Sequence, residues 1–215
     1  MGPRLENSTD TGPICALGMD TKIVRLCDAA RDGMKSGDLL LYRASARQPI
    51  GWIIARLGRS QYCHAGRAYQ GLKGWRTIDT HAWTGGRNVA LADEVRAYPR
   101  RIDVFSPNPG DMAGARGYDY DPEAAVRWLQ RHVVDRHYGW WAIAQAALRH
   151  AFLVRLFVRP LSGENGGGPA YCSQAQAAAD RHAGFDPVRH LTDRLTEPSD
   201  LARSPFYQYR FTLET

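Results

Sequence analysis

The sequence GENGGGPAYCSQAQAAADRHAG, at residues 163–184, carries the pattern around which the rest of the chain is organised. A glycine-rich loop leads to Cys172, and the alanine-rich stretch that follows predicts a helix ending near Gly184. Cys172 would then lie in the first turn of a helix, where unpaired backbone N–H groups and the helix dipole favour a thiolate over a thiol. The stretch is typical of a nucleophilic cysteine, and an inert buried cysteine fits this segment equally well.

A nucleophilic cysteine needs a base, and His64 is the candidate among seven histidines. It lies in SQYCHAG (60–66), where sequence typical of a strand follows an apolar helical pattern. A third group should orient the imidazole, and Asp79 on the next predicted strand is suited to this because a carboxylate accepts the second ring N–H. His81 shares the face of Asp79 by the two-residue period of a strand and is the alternative. The neighbouring Cys63 should point away from that face and fill the core.

Length and composition fit one globular domain, with 215 residues, 44% hydrophobic and 23% charged. We expect a flexible polar arm at 1–20 and a single domain at 21–215. The first residues contain no apolar run typical of a signal peptide. This predicts a protein made in the cytoplasm that other proteins deliver, within a virion or to the periplasm, if its substrate lies outside.

The charge and the cysteines exclude some classes of function. The net charge of +6 is spread along the chain rather than gathered in one tract, which gives little support to nucleic-acid binding. The four cysteines form no CxxC pair, so neither a structural zinc site nor a disulfide framework is expected. We expect no metal and no cofactor.

Periodicity predicts an α+β fold with a central antiparallel sheet packed against helices. The continuous apolar run in GDLLLY (37–42) is typical of a buried central strand, and turn residues separate the strands that follow it. The predicted strands are 37–42, 64–69, 75–79, 87–91, 102–105 and 206–213. The predicted helices are 21–32, 49–59, 121–137, 139–158, the one that begins at Cys172, and a short one at 197–201.

Taken in order, these motifs resemble the circularly permuted branch of the NlpC-type papain-like cysteine hydrolases, which is related to lecithin:retinol acyltransferase-like proteins. The histidine precedes the cysteine, which is the permuted order. Gln174 departs from the family, which usually carries glutamate there. The matching segments are GDLLLY (37–42), SQYCHAG (60–66), the strand ending at Asp79, Tyr138-Gly139, YCSQ (171–174) and EPSDL (197–201).

The resemblance implies a papain-like, circularly permuted fold and an enzyme that hydrolyses or transfers an acyl group through a thioester at Cys172. His64 would be the base, with Asp79 or His81 completing the triad. Tyr138 and Tyr171 would contribute to the oxyanion site or substrate pocket, beside the backbone N–H of Cys172. We expect aromatic residues at 138–141 to form the wall of the cleft and the loop at 163–169 to cover it.

Three hypotheses for the function follow. The first is a cysteine peptidase or amidase that cleaves peptidoglycan stem peptides, for example as part of a phage tail or a secretion system. The second is a lipid acyltransferase or lipase of the same fold, with 138–159 as a helix on the membrane surface. The third is a non-enzymatic structural module of a larger assembly. Because the cysteine and histidine motifs are complete, we expect the first.

Overall fold

The computed structural model describes residues 21–46, 48–108, 119–137, 171–189 and 191–215. These residues form an α+β fold with a seven-stranded sheet and five α-helices. The strands are β1 (Ile23–Arg25), β2 (Leu39–Arg43), β3 (Tyr62–Gly71), β4 (Gly74–His81), β5 (Gly85–Ala90), β6 (Ile102–Pro107) and β7 (Tyr207–Glu214). The helices are α1 (Pro49–Leu57), α2 (Leu91–Ala97), α3 (Pro122–His132), α4 (Cys172–His182) and α5 (Pro198–Arg203).

The sheet has the order β1-β7-β6-β2-β3-β4-β5 and is antiparallel except for the pairing of β1 with β7. The predicted antiparallel sheet packed against helices is therefore confirmed. Strands β3, β4 and β5 form a meander, and β6 pairs with β2 instead of continuing next to β5. Strand β2 lies in the middle, and residues on both of its faces are buried, as its continuous apolar run predicts.

The helix predicted at 21–32 is wrong. Residues Ile23–Arg25 form a strand that pairs with the end of β7, and a short 3₁₀ helix, Leu26–Asp28, follows. The buried side chain of Val24 packs in the same cluster as Leu213. Pairing with β7, which lies far along the chain, thus determines the structure of this segment, and its local helical periodicity does not.

Helix α3 ends at His132 rather than at 137. Beyond it, the backbone N–H of Asp135 donates to Gly86, and the backbone N–H of Gly86 donates to Arg136. A Cβ atom at Gly86 would lie only 1.7 Å from the carbonyl oxygen of Val133. Glycine at this position therefore permits the close approach that ends the helix against β5.

The side of the sheet on which residues pack changes along the last strand, β7. Tyr207 packs on one side of the sheet, whereas Phe211 and Leu213 pack in the core on the other side. The register with β6 shifts between Val104 and Phe105, so a bulge exchanges the two faces along β7.

A network of buried hydrogen bonds holds α4 against β3. Arg67 on β3 has no solvent exposure, and its Nη2 atom donates to Asp180 Oδ2 at 2.9 Å. Its Nε atom donates to Gln176 at 3.1 Å and its Nη1 atom to the carbonyl of Gly37 at 2.9 Å. Because Asp180 and Gln176 lie on α4, these contacts hold the helix against β3 and thereby set where its first residue, Cys172, lies.

The predicted helix at 139–158 and the glycine-rich loop at 163–169 lie outside the described residues. Among the residues that the structure describes, no helix has the length and apolar character needed to cross a membrane.

Candidate active site

The start of α4 meets β3 where β3 and β4 separate. The pairing of β3 with β4 ends at Gly66 opposite Asp79, whereas β3 continues along β2 as far as Tyr62. In this opening the backbone of Ala65 makes a hydrogen bond to the thiol of Cys172. A bulge also lies here, since Tyr42 pairs with His64 but Arg43 pairs with Tyr62. Bulges re-aim the side chains beside them, and this one lies at the predicted catalytic histidine.

Cys172 is the first residue of α4 and is only 4% exposed. The preceding Tyr171 has an extended backbone, and its hydroxyl donates to the carbonyl of Thr196 at 3.0 Å. Ser173 Oγ donates to the same carbonyl at 2.8 Å. The residues on both sides of Cys172 are thus tied to the segment that leads into α5. Tyr171 anchors the helix start through its hydroxyl, a role that the sequence did not suggest.

The structure brings Cys172, His64 and Asp79 together in one hydrogen-bonded chain. Cys172 and His64 share a side-chain hydrogen bond, and His64 Nε2 lies 2.8 Å from Asp79 Oδ2. Because Nε2 faces Asp79, Nδ1 is the ring nitrogen left for Cys172. The His64 side chain is 18% exposed, and that of Asp79 has no exposure.

The electrostatics of this chain favour the ion-paired state of the cysteine and histidine. Burial alone would raise the pKa of the Cys172 thiol, but the charge and hydrogen bond of His64, with backbone hydrogen bonds from Ala65 and Ser173, hold that pKa below its ordinary value. Burial likewise opposes charge on His64, yet Cys172 and Asp79 raise its pKa well above the usual range. Both pKa shifts favour a Cys172 thiolate next to a His64 imidazolium.

His81 lies beside the site without joining the chain. Its ring centroid is 6.3 Å from that of His64, and its buried Nδ1 atom has no hydrogen-bond partner within the described residues. Burial, followed by the positive charges of Arg87 and His64, lowers the pKa of His81. Of the two candidates for the third residue, the structure places Asp79 in contact with His64.

Two further charged residues, Arg87 and Glu94, extend the chain beyond Asp79. Arg87 Nε donates to Asp79 Oδ1 at 2.7 Å, and its Nη2 atom donates to Asp79 Oδ2 at 2.9 Å and to Glu94 at 3.1 Å. Burial raises the pKa of Asp79, but the hydrogen bonds and charges of His64 and Arg87 outweigh it, so that pKa lies below its ordinary value. Sequence reasoning missed both residues. The structure places Arg87 directly opposite Asp79 in the register of β4 and β5, and that register could not be read from the sequence.

Gly66 in the SQYCHAG segment leaves room for the side chains of Thr77 and Asp79. A Cβ atom at this position would lie 2.7 Å from Thr77 Oγ1 and 3.4 Å from the Cβ atom of Asp79. Any larger residue would therefore press on the side chains of Thr77 and Asp79.

The second thiol next to the site, Cys63, is buried, as predicted for a residue of the core. Its Sγ atom lies 3.5 Å from the carbonyl oxygen of Tyr42. A Cβ atom added to Gly51 of α1 would lie 3.2 Å from this sulfur, so α1 packs closely on the strand that carries His64. Burial raises the pKa of Cys63, in contrast to that of Cys172.

The other predicted features are distributed as follows. Tyr138, the aromatic residues at 138–141 and the loop at 163–169 lie outside the described residues. Gln174 is 8% exposed, and its Oε1 atom has no partner within the part of the chain that the structure describes. In that same part, no group of three or more histidine, cysteine or acidic side chains is arranged to hold a metal ion.

Comparison with known proteins assigns no family to the chain. No family model matches the chain, and no curated protein matches it significantly. Among solved structures, the chain is similar to the crystal structure of the metalloprotein YiiX from Escherichia coli O157:H7, of DUF1105, with 13% sequence identity and a TM-score of 0.49. The match covers 84% of this chain and 98% of that chain. A likeness of this degree assigns no metal, substrate or activity to this chain.

Proposed function

We propose that this protein is a cysteine hydrolase with a circularly permuted papain-like fold, and that it cleaves an amide bond in peptidoglycan stem peptides through a thioester at Cys172. The observation that carries the proposal is the hydrogen-bonded chain Cys172–His64–Asp79, in which the pKa of Cys172 is lowered and that of His64 is raised. A structural cysteine in a core would have the opposite shift, as Cys63 does.

The chemistry would proceed in two steps. The Cys172 thiolate attacks the carbonyl carbon of the amide, and the tetrahedral intermediate collapses to a thioester as protonated His64 gives its proton to the leaving amine. Water then attacks the thioester while His64 takes a proton from it, and the carboxylic acid product and the Cys172 thiolate are released. Asp79 accepts the Nε2–H of His64 and so keeps Nδ1 directed at the sulfur.

The peptide substrate rests on the resemblance of the motifs to NlpC-type hydrolases. A lipid acyl ester is the second candidate, and one observation favours it: large apolar side chains of α1 are exposed next to the strand that carries His64. The same thioester chemistry would serve either substrate, so the bond cleaved has to be identified from products.

The experiment is mass-spectrometric analysis of products after incubation with purified muropeptides and, separately, with phospholipid vesicles. The proposal expects cleaved stem peptides with the wild-type protein and none with Cys172→Ala. Release of fatty acid or transfer of an acyl chain to the protein would instead favour the lipid enzyme. Equal products from the wild type and Cys172→Ala would contradict a cysteine hydrolase of either kind.

A further inference from the structure

Helix α1 presents three large apolar side chains outward. Trp52 is 52% exposed, Ile53 49% and Leu57 37%. Together with Arg56 they occupy positions i, i+1, i+4 and i+5 and so share one side of the helix, which we name the α1 outer face. The side turned to the protein carries small residues instead, with Gly51 close to Cys63 and Ala55 buried. This is the reverse of an ordinary surface helix, whose apolar side faces the core.

The surroundings of this face are basic. No acidic residue occurs in the sequence between Asp38 and Asp79. Arg56 and Arg59 are exposed, and Arg203 reaches the end of α1 by donating to the carbonyls of Gly58 at 2.9 Å and Arg59 at 2.6 Å. Among the described residues, none of these three arginines takes part in a salt bridge. Their charges therefore remain for an anionic partner.

One carboxylate lies close to the end of α1, that of Glu197. A Cβ atom at Gly58 would lie 3.0 Å from Glu197 Oε2. Glu197 is only 8% exposed, and with Asp200 it forms the capping box of α5. The Glu197 carboxylate accepts from the backbone N–H of Asp200 and from Ser199 Oγ, and so it is bound within α5.

We propose that the α1 outer face docks this protein onto an anionic lipid surface. An exposed tryptophan with neighbouring aliphatic side chains suits the boundary between headgroups and acyl chains, and arginines beside it are attracted by anionic headgroups. A second copy of this chain would bring Arg56, Arg59 and Arg203 against their equivalents, which like charges oppose. Because Cys63 packs on α1 and is followed by His64, docking would hold the candidate site next to the lipid surface.

The test is co-sedimentation of the full chain with vesicles of phosphatidylcholine alone and of phosphatidylcholine mixed with phosphatidylglycerol. The wild type should bind the mixed vesicles, bind the neutral ones more weakly, and lose binding as salt is added. Trp52→Ser should weaken binding to the mixed vesicles by about tenfold or more, and Arg56→Gln by about fivefold. Cys172→Ala should bind as the wild type does, which separates this surface from the proposed chemistry.

Two matched controls test whether the effect belongs to this face. Leu72→Ser removes a fully exposed apolar side chain from the turn between β3 and β4, and Arg96→Gln removes an exposed arginine from α2. Both should bind as the wild type does. Binding that is absent, that is equal for both kinds of vesicle, or that falls equally in the controls would overturn the proposal.

Two other measurements would show that something other than lipid covers the α1 outer face. A dimer in solution that Trp52→Ser dissociates would assign the face to a second copy. A melting temperature lowered by several degrees in Trp52→Ser would assign it to packing within the chain. Either result overturns docking on lipid. An unchanged melting temperature and oligomeric state, with the loss of vesicle binding, would support it.

Discussion

Arg87 donates to both carboxylate oxygens of Asp79, at 2.7 and 2.9 Å, while His64 Nε2 lies 2.8 Å from one of the same two oxygens. Arg87 also donates to Glu94, so opposite charges alternate from the Cys172 thiolate to Glu94. A buried carboxylate without partners would take up a proton. This arrangement instead keeps Asp79 ionised and fixed, which an acid that orients an imidazolium requires.

The first prediction concerns Asp79. The proposed mechanism requires a Cys172 thiolate and a protonated His64, so activity should exist above the lowered pKa of Cys172 and below the raised pKa of His64. Asp79→Asn removes a negative charge next to His64, which lowers the pKa of His64 and moves the upper limb of the kcat/KM–pH profile to lower pH. The rate at the optimum should fall by about a hundredfold or more. Loss of activity in His81→Ala with little change in Asp79→Asn would exchange the roles of the two residues.

The second prediction concerns Arg87, which we regard as a positioning residue because it acts through Asp79. Arg87→Gln removes a positive charge near His64, so the upper limb of the pH profile should move to higher pH, opposite to the shift in Asp79→Asn. The rate should also fall because Asp79 loses its two fixed hydrogen bonds. Arg76→Gln is the matched control, since Arg76 on the same sheet donates twice to Asn88. A shift of the same sign in Arg87→Gln and Asp79→Asn would contradict this role.

The third prediction concerns the space at Gly66. Gly66→Ala places a methyl group against Thr77 Oγ1 and should destabilise the fold by about 1–3 kcal/mol, with a loss of activity as Asp79 shifts. Thr77→Ala removes the nearest clashing atom, so the double variant should recover part of both losses. Urea unfolding and kcat/KM measure the two effects. If the double variant lost the sum of the single losses, the clash would not be the cause.

The fourth prediction concerns the buried pair that holds α4. Asp180→Asn leaves the guanidinium of Arg67 without solvent and without a negative partner, which should cost about 3–5 kcal/mol of unfolding free energy. The exposed pair Arg96–Asp93 offers the comparison, and Arg96→Gln should cost far less. Both are measured by urea denaturation. Similar small losses in the two variants would mean that Arg67 does not fix the helix.

The elements with strong local signals were predictable from the sequence. Helices α1 and α4 begin at Pro49 and Cys172, as predicted, and α3 begins at Pro122, one residue after its predicted start, with Asp121 as its cap. The contact of His64 with Asp79 was predictable because the two residues lie on consecutive predicted strands. These short-range patterns depend on capping residues and on periodicity, which a single sequence displays.

The remaining features depend on contacts between distant segments. The pairing of β1 with β7, the end of α3 at Gly86 and the bulges next to His64 and Phe105 each arise from a partner far along the chain. The roles of Arg87 and Glu94 require the register of β5 and the short helix α2, which no periodic pattern indicated. The permuted papain-like arrangement itself stays a prediction of the motifs.

The most direct test of the account is a pH titration of the ultraviolet thiolate absorbance, taken as the difference between the wild type and Cys172→Ser. This measurement needs neither a substrate nor access of a reagent to a residue that is 4% exposed. We expect the Cys172 thiolate to persist at pH values below the ordinary thiol pKa of about 8.5, and to be absent at those same pH values in His64→Ala. A Cys172 thiol that titrates at or above about 8.5, or whose titration is unchanged in His64→Ala, would contradict the nucleophile and the proposed function with it.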